Sequence, residues 1–113
     1  MRLLIALFFL IFLCQCVSLS KDVTPDDDHI PVLFTYVDDR AKKVCIEGNF
    51  NQWSPQSHCM KKDKNTWTLS LSLPPGRYPY LFLINDRISK LDPGAALTEE
   101  SGFGTKNSIL VVE

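Results

Sequence analysis

The chain has 113 residues, of which 45% are hydrophobic and 22% are charged, and its formal net charge is -1. This length leaves room for one globular domain. The near-zero charge excludes a protein that binds nucleic acid through a strongly basic surface. The ordinary share of apolar residues argues against a wholly disordered chain.

The N-terminal segment carries an uninterrupted apolar run from residue 3 to residue 13, preceded by Arg2. A helix that spans a bilayer needs about 20 apolar residues, so this run is too short to cross a membrane. A positive start followed by a short apolar core is typical of a secretory signal peptide. We therefore predict that residues 1–16 form a signal peptide and that the protein is exported, to the periplasm, the exterior or the cell envelope.

The string LCQC at residues 13–16 resembles the lipobox of bacterial lipoproteins, with Cys16 as the lipid-modified residue. It departs from that pattern at Gln15, where a small residue is usual. Lipidation of Cys16 and simple secretion after Cys16 or Ser18 both remain open. A lipid anchor would hold the protein at a membrane surface without spanning it, and it is the one membrane contact that we expect.

Residues 17–29 are polar and lack a periodic apolar pattern, so we interpret them as a linker. From residue 30 onward, apolar and polar residues alternate in short runs between turn residues. The alternation predicts strands over residues 31–37, 43–50, 60–62, 66–73, 77–84 and 108–113. Short strands without an amphipathic helix predict an all-β fold for residues 30–113, an immunoglobulin-like antiparallel β-sandwich of about seven strands.

Side chains that suggest catalysis are few in this sequence. His29 falls in the linker and His58 in a predicted loop, at spacings that do not suggest a Ser-His-Asp arrangement. The sequence contains no glycine-rich phosphate loop and no His/Cys cluster at metal-ligand spacing. We therefore expect a protein that is not an enzyme and that needs neither a cofactor nor a metal ion.

Cys45 and Cys59 are the two cysteines of the predicted domain. An oxidising compartment would allow them to form a disulfide. If Val44 and Ile46 point into the core, Cys45 points out of its sheet. If Met60 also points inward, Cys59 points outward as well. Outward residues on facing sheets would not meet, so the alternation counts against the disulfide.

Trp53 follows the polar, turn-prone run of residues 48–52. The flat face of an indole in such a loop suits stacking against a sugar ring, with amides and hydroxyls nearby to bond the sugar's hydroxyls. Alternatively, Trp53 folds back and closes the end of the sandwich. The pattern alone leaves both interpretations open.

The run GNFNQW at residues 48–53 resembles the GxFNxW signature of family 48 carbohydrate-binding modules. This family includes the early-set domains of isoamylases and branching enzymes and the glycogen-binding domain of AMP-activated kinase β subunits. The resemblance continues in order to Asn107-Ser108 and covers residues 31–113. It implies an early-set β-sandwich that binds α-1,4-glucans such as glycogen, starch or maltodextrin.

The resemblance also implies a sugar site. Trp53 corresponds to the family's stacking tryptophan, and a C-terminal loop supplies its apolar, hydroxyl and amide contacts. The candidate carbohydrate-binding residues are Trp53, Asn51, Phe103, Thr105 and Asn107, together with Lys90 as a substitute for the basic residue that the family has at the position of Leu81.

Two positions depart from the family's site. Leu81 replaces a basic residue, and Ile88 corresponds to a second stacking tryptophan. Losing each contact costs on the order of 1–3 kcal/mol, so we expect weak binding. Two functions remain open: an exported, non-catalytic α-glucan-binding module, or a structural or protein-interaction module that has kept the fold and lost the sugar.

Overall fold

The computed structural model describes residues 28–113. The predicted signal peptide at residues 1–16, its lipidation candidate Cys16 and most of the predicted linker lie outside these described residues. Within the described range, no helix is both long enough and apolar enough to cross a membrane.

Eight β-strands and one 3-10 turn make up the described chain. The strands are β1 Ile30–Val37, β2 Val44–Gly48, β3 Lys61–Asp63, β4 Thr66–Leu73, β5 Gly76–Ile84, β6 Ile88–Lys90, β7 Leu97–Glu100 and β8 Lys106–Val112, and the 3-10 turn Asn49–Asn51 follows β2. The six strands predicted individually are all present. The alternation missed β6 and β7 because they are short and largely exposed, and therefore lack a buried face.

The strands form two antiparallel sheets. One has the order β1-β4-β3, and the other has the order β2-β5-β8-β7, with β6 also paired to β5. Both sheets contribute side chains to one buried cluster, so they pack face to face as a sandwich. This cluster consists of Phe34, Tyr36, Ala41, Val44, Ile46, Met60, Trp67, Tyr80, Phe82 and Ile84.

β5 lies inside the larger sheet and positions the candidate site. It pairs with β2 as far as Gly48 opposite Tyr80, and with β8 as far as Ser108 opposite Tyr80. Beyond that point β6 takes the place of β8. Pro79, which has no N–H to donate, lies one residue past the end of the β2 ladder, where no β2 residue faces it.

Cys45 and Cys59 form a disulfide. The expectation that they lie on facing sheets is wrong, because Cys59 forms an antiparallel bridge directly beside Cys45 of β2. Backbone hydrogen bonds of 2.8 Å flank this bridge on both sides. Side chains of such a pair lie close together on one face. The alternation could not reveal that the chain returns alongside β2.

Candidate functional site

The Trp53 loop, residues 49–59, connects β2 to the disulfide-bonded Cys59. Gln52 and Trp53 both have a left-handed backbone, with φ of 55° and 56°. This region is unfavourable for residues other than glycine, so surrounding contacts must hold it. The Trp53 N–H donates to the Gly48 carbonyl at 2.8 Å, while the Trp53 side chain remains 38% exposed. The loop therefore has a fixed backbone and an accessible indole.

The buried Asn51 side chain holds the backbone of this loop through hydrogen bonds. This side chain is only 6% exposed. Oδ1 accepts from the backbone N–H groups of Gly48 at 3.1 Å and Ser54 at 3.2 Å. Nδ2 donates to the Ile46 carbonyl at 3.0 Å and lies 3.0 Å from His58 Nδ1. The amide is engaged within the protein, so the structure gives Asn51 a loop-shaping position and does not present it to a ligand.

Gly48 and Phe50 also serve the packing of this region. A β-carbon on Gly48 would lie 2.8 Å from the Pro79 carbonyl oxygen and 2.6 Å from the Phe50 ring, both closer than atoms pack. The half-buried Phe50 ring lies 6.1 Å from that of Phe34 and 6.2 Å from that of Tyr78, measured between centroids. Only glycine fits where the loop leaves β2, and Phe50 anchors the loop to the core.

Leu81 and Asn107 both face outward on neighbouring strands of the larger sheet, each one residue beyond the last β5–β8 pair. Tyr80 and Ser108 are directly opposite each other, and both are buried towards the core. Since successive strand residues alternate in direction, their neighbours Leu81 and Asn107 face outward. Gly48 and Ser108 flank Tyr80 from two sides, so the end of β2 is about 10 Å from β8, two strand spacings away. The Trp53 loop and Asn107 thus belong to one region.

Two glutamates flank Leu81 and Asn107 on this outer face. Glu47 lies opposite Leu81, and Glu99 lies opposite Asn107. Glu99 forms a salt bridge with Arg77, whereas Glu47 takes part in no ion pair within residues 28–113. Glu47 is not among the polar contacts expected from the sequence. Its signal was present, because Glu47 immediately precedes the GNFNQW run and alternates with the inward-facing Ile46.

Phe103, Thr105 and Asn107 all belong to the β7–β8 hairpin. Phe103 is 88% exposed at the tip, between Gly102 and Gly104, whose φ values are 94° and 83°. The base of the tip is closed by a hydrogen bond of 2.8 Å from the Ser101 N–H to the Thr105 carbonyl. The Ser101 and Thr105 hydroxyls are 2.7 Å apart. The hairpin therefore presents an apolar ring and a hydroxyl near Asn107.

The structure does not bring Lys90 to this group. Lys90 lies opposite Phe82, whose side chain faces the core, so it shares the face opposite to that of Leu81. Its charge acts instead on Asp38, which follows β1 of the smaller sheet. The backbone N–H of Arg40 holds the pKa of the Asp38 carboxyl below its usual value, and Lys90 adds a smaller effect in the same direction.

Register also changes the interpretation of the missing second tryptophan. Ile88 lies opposite Ile84, which faces the core. The β6 residue opposite Leu83 is Ser89, and Leu83 shares the outer face with Leu81. The β6 residue that register places on the outer face is therefore Ser89, one residue beyond Ile88. The offset arises because the two strand ends are joined by three residues, 85–87.

A network of hydrogen bonds secures the segment between β6 and β7. The Tyr80 hydroxyl donates to Asp92 Oδ2 at 2.5 Å, and the Asp92 N–H donates to Ser108 Oγ at 2.8 Å. Burial first, and then the Asp92 carboxylate, raise the pKa of the Tyr80 hydroxyl, so it remains a donor. Asp92 Oδ1 also accepts from the Gly94 N–H at 2.7 Å. These contacts have a structural role.

Asn107 and Glu47 supply an amide and a carboxylate on the outer face, and the neighbouring Trp53 loop and β7–β8 hairpin supply an exposed indole, a phenyl ring and a hydroxyl. Rings stack on the apolar faces of a neutral polyol, and the polar groups bond its hydroxyls. Among residues 28–113, no three His, Cys, Asp or Glu side chains converge as a metal site.

Comparison with known proteins identifies the family of this domain. The family model for the glycogen recognition site of AMP-activated protein kinase matches residues 30–113. Protein PTST homolog 2, chloroplastic, from Arabidopsis thaliana is 31% identical over 72 residues. Protein FLOURY ENDOSPERM 6, chloroplastic, from Oryza sativa subsp. japonica is 32% identical over 72 residues.

Each of these alignments covers 64% of this chain and 13% of the relative, so the chain spans a small part of the curated relatives it matches. The family match, in contrast, includes all eight described strands. It confirms the resemblance that the GNFNQW run carries. The chain belongs to the family of the glycogen recognition site of AMP-activated protein kinase.

Proposed function

We propose that the protein is a non-catalytic module that binds α-1,4-glucans weakly through the outer face of its larger sheet. Membership of a carbohydrate-binding family supports the ligand class. The observation that carries the proposal for this chain is the Trp53 loop. Its backbone is held by Asn51 and the Cys45–Cys59 disulfide, and yet its indole is left exposed.

The proposed site has one aromatic platform and several polar contacts. Trp53 stacks on a glucose ring, and the Asn107 amide and Thr105 hydroxyl bond its hydroxyls. Phe103, exposed at the tip of the β7–β8 hairpin, supplies a second apolar surface. Glu47 adds an acceptor beside Leu81. Lys90 is left out because register directs it to the opposite face.

The expected weakness follows from two side chains. Leu81 offers no hydrogen bond where the family has a basic residue, and Ser89 offers no ring on the outer face. We expect a dissociation constant of about 0.1–1 mM, which corresponds to a binding free energy of roughly -5.5 to -4 kcal/mol.

Tryptophan fluorescence provides a direct test with maltoheptaose as the ligand. The chain has two tryptophans. Trp67 is 5% exposed, and its indole N–H donates to the Asp38 carbonyl at 3.1 Å, so a sugar-dependent signal must come from Trp53. We expect a saturable change at millimolar sugar, and loss of calorimetric binding in Trp53→Ala.

Leu33→Ala is the matched control, because Leu33 is a large exposed apolar residue on the smaller sheet. This variant should bind as the wild type does. Absence of a saturable response at millimolar sugar would overturn the proposed function. Unchanged binding by Trp53→Ala would overturn the assignment of the site.

A second candidate is a structural or protein-interaction module without sugar binding. One observation favours it: Gly48, Phe50 and Asn51 all serve packing and loop shape, so their presence does not require a ligand. The same titration separates the two functions, since this candidate gives no response to maltoheptaose.

Export of the protein is a separate proposal, supported by Arg2 and the apolar run at residues 3–13. Mass spectrometry of the chain recovered from the cell envelope and the medium tests it. A mass lacking about the first 16 residues is expected for a cleaved signal peptide. Palmitate labelling that disappears in Cys16→Ser would establish lipidation, whereas an uncleaved, intracellular chain would overturn export.

A further inference from the structure

We propose that His58 is a positioning residue for the sugar site: its neutral imidazole holds Asn51, and through it the Trp53 loop, in the binding-competent shape. Protonation of the ring releases this hold. The effect on sugar affinity rests on the proposed function, whereas the effect on the loop can be observed without sugar.

The orientation of the Asn51 amide is determined by the backbone. The N–H groups of Gly48 and Ser54 both point at one amide atom, at 3.1 and 3.2 Å, so that atom is the oxygen. The other atom is the NH₂ group, which bonds the Ile46 carbonyl and faces His58 Nδ1 at 3.0 Å. An NH₂ group only donates. Nδ1 of His58 must therefore accept, and the ring proton resides on Nε2.

Protonation would convert this contact from attraction to repulsion. Both nitrogens of a charged imidazole are donors, so an Nδ1–H would face the Asn51 NH₂ group. Asn51 is 6% exposed, and water has little access to replace the lost acceptor. Either the His58 ring or the Asn51 amide must then move.

Few charged groups surround the half-buried His58 ring. The Phe50 ring lies edge-to-face with the imidazole at 6.1 Å, and the 3-10 turn that carries it has no ionisable side chain. β2, which shares a backbone hydrogen bond with His58, carries Glu47. Within residues 28–113, His58 has no ion pair with Glu47 or any other carboxylate. The adjacent Cys59 is disulfide-bonded and does not titrate.

The backbone links a movement of Asn51 to the conformation of Trp53. Trp53 lies between Asn51 and Ser54, and the Ser54 N–H bonds both the Asn51 carbonyl at 3.1 Å and its Oδ1. When Asn51 moves, the restraint on the left-handed backbone at Trp53 weakens. A non-glycine residue with φ of 56° then relaxes towards an ordinary conformation. The indole no longer stays in its binding position.

The test is the pH dependence of maltoheptaose affinity for the full chain between pH 5 and 8, the range in which histidine changes charge. The wild type should lose affinity by at least about threefold towards pH 5 as the imidazole becomes charged. His58→Asn, which can place an uncharged amide oxygen near the position of Nδ1, should bind with little dependence on pH. His29→Asn, which alters the chain's other histidine, should follow the wild type.

NMR without sugar gives a second readout on the wild-type chain. We expect the Nε2–H tautomer of His58 at neutral pH, and a Trp53 indole resonance that shifts as His58 titrates. In His58→Asn the Trp53 resonance should be constant over this range. An Nδ1–H tautomer, or a Trp53 resonance that stays constant while His58 titrates, would overturn the inference. Both measurements use the wild-type chain, so they stand even if a variant fails to fold.

The outcomes also separate this inference from the proposed function. Binding that is independent of pH in the wild type overturns the positioning role and leaves sugar binding intact. Coupled His58 and Trp53 resonances without sugar binding at any pH support the control of the loop, but they overturn its role in glucan recognition.

Discussion

The residues of the GNFNQW run have different structural roles although they form one signature. Gly48 permits a close backbone approach, Phe50 packs, and Asn51 bonds the loop from inside. Trp53 presents the exposed aromatic side chain of the run. Recognising the signature therefore establishes the loop's conformation more strongly than it establishes sugar binding, because most of its residues stabilise the protein itself.

Leu81 is the residue at which a gain of function is expected. It lies on the outer face opposite Glu47, one residue beyond the Tyr80–Ser108 pair. Leu81→Lys would supply a charged donor, and Glu47 would help to hold the ammonium group in place. A charge-assisted hydrogen bond contributes about 1.5–3 kcal/mol, so maltoheptaose affinity should rise roughly tenfold or more. Isothermal titration calorimetry measures this change.

Val111→Lys is the matched control for this gain. Val111 is exposed on β8, four residues from Asn107. Its replacement by lysine introduces the same charge outside the proposed site. It should leave the affinity unchanged. An equal increase in both variants would indicate a non-specific effect of charge and would contradict the position assigned to residue 81.

At the scale of the element, a disulfide closes the Trp53 loop at its base. The Cys45–Cys59 disulfide joins residues separated by 14 positions, at the base of the loop. Constraining a loop of this size in the unfolded state contributes about 3 kcal/mol in the chain-entropy model. Reduction should lower the free energy of unfolding by about this amount and should weaken maltoheptaose binding, because Trp53 is then less restrained.

Denaturant unfolding with and without a dithiol reductant measures the loss of stability. The double variant Cys45→Ala/Cys59→Ala is the control, and its unfolding midpoint should not respond to the reductant. If the wild type keeps the same midpoint and affinity when mass spectrometry shows two free thiols at these positions, the disulfide does not hold the loop.

At the scale of the whole molecule, charge should contribute little to recognition. The formal net charge is -1, and the proposed ligand is neutral. The maltoheptaose dissociation constant should change by less than about twofold when ionic strength rises from about 0.05 to 0.5 M, since screening acts on charges. Fluorescence titration at the two salt concentrations measures it, and a steep salt dependence would instead indicate an anionic ligand.

The strand pattern was predictable because each strand buries one face, and alternation is visible in the sequence. β4 shows this best, with Trp67 and Leu73 buried and Ser70 and Ser72 exposed. β6 and β7 were not predictable from alternation because their residues lie largely in solvent. In the candidate site, the loop positions of Trp53 and Phe103 were predictable, whereas the β7–β8 hairpin that carries Phe103 and the burial of Asn51 were not.

By itself, the sequence determined the alternation that makes an all-β domain, the family, and the exposed tryptophan as the main candidate for a ligand contact. The tertiary structure decided which side chains share a face: it joined Cys45 to Cys59, placed Lys90 away from Asn107, and made Ser89 the outer neighbour of Leu83. The reason is physical. Alternation is a local property of a strand, whereas these relations depend on which strand lies alongside and in which register, and a shift of one residue reverses every face.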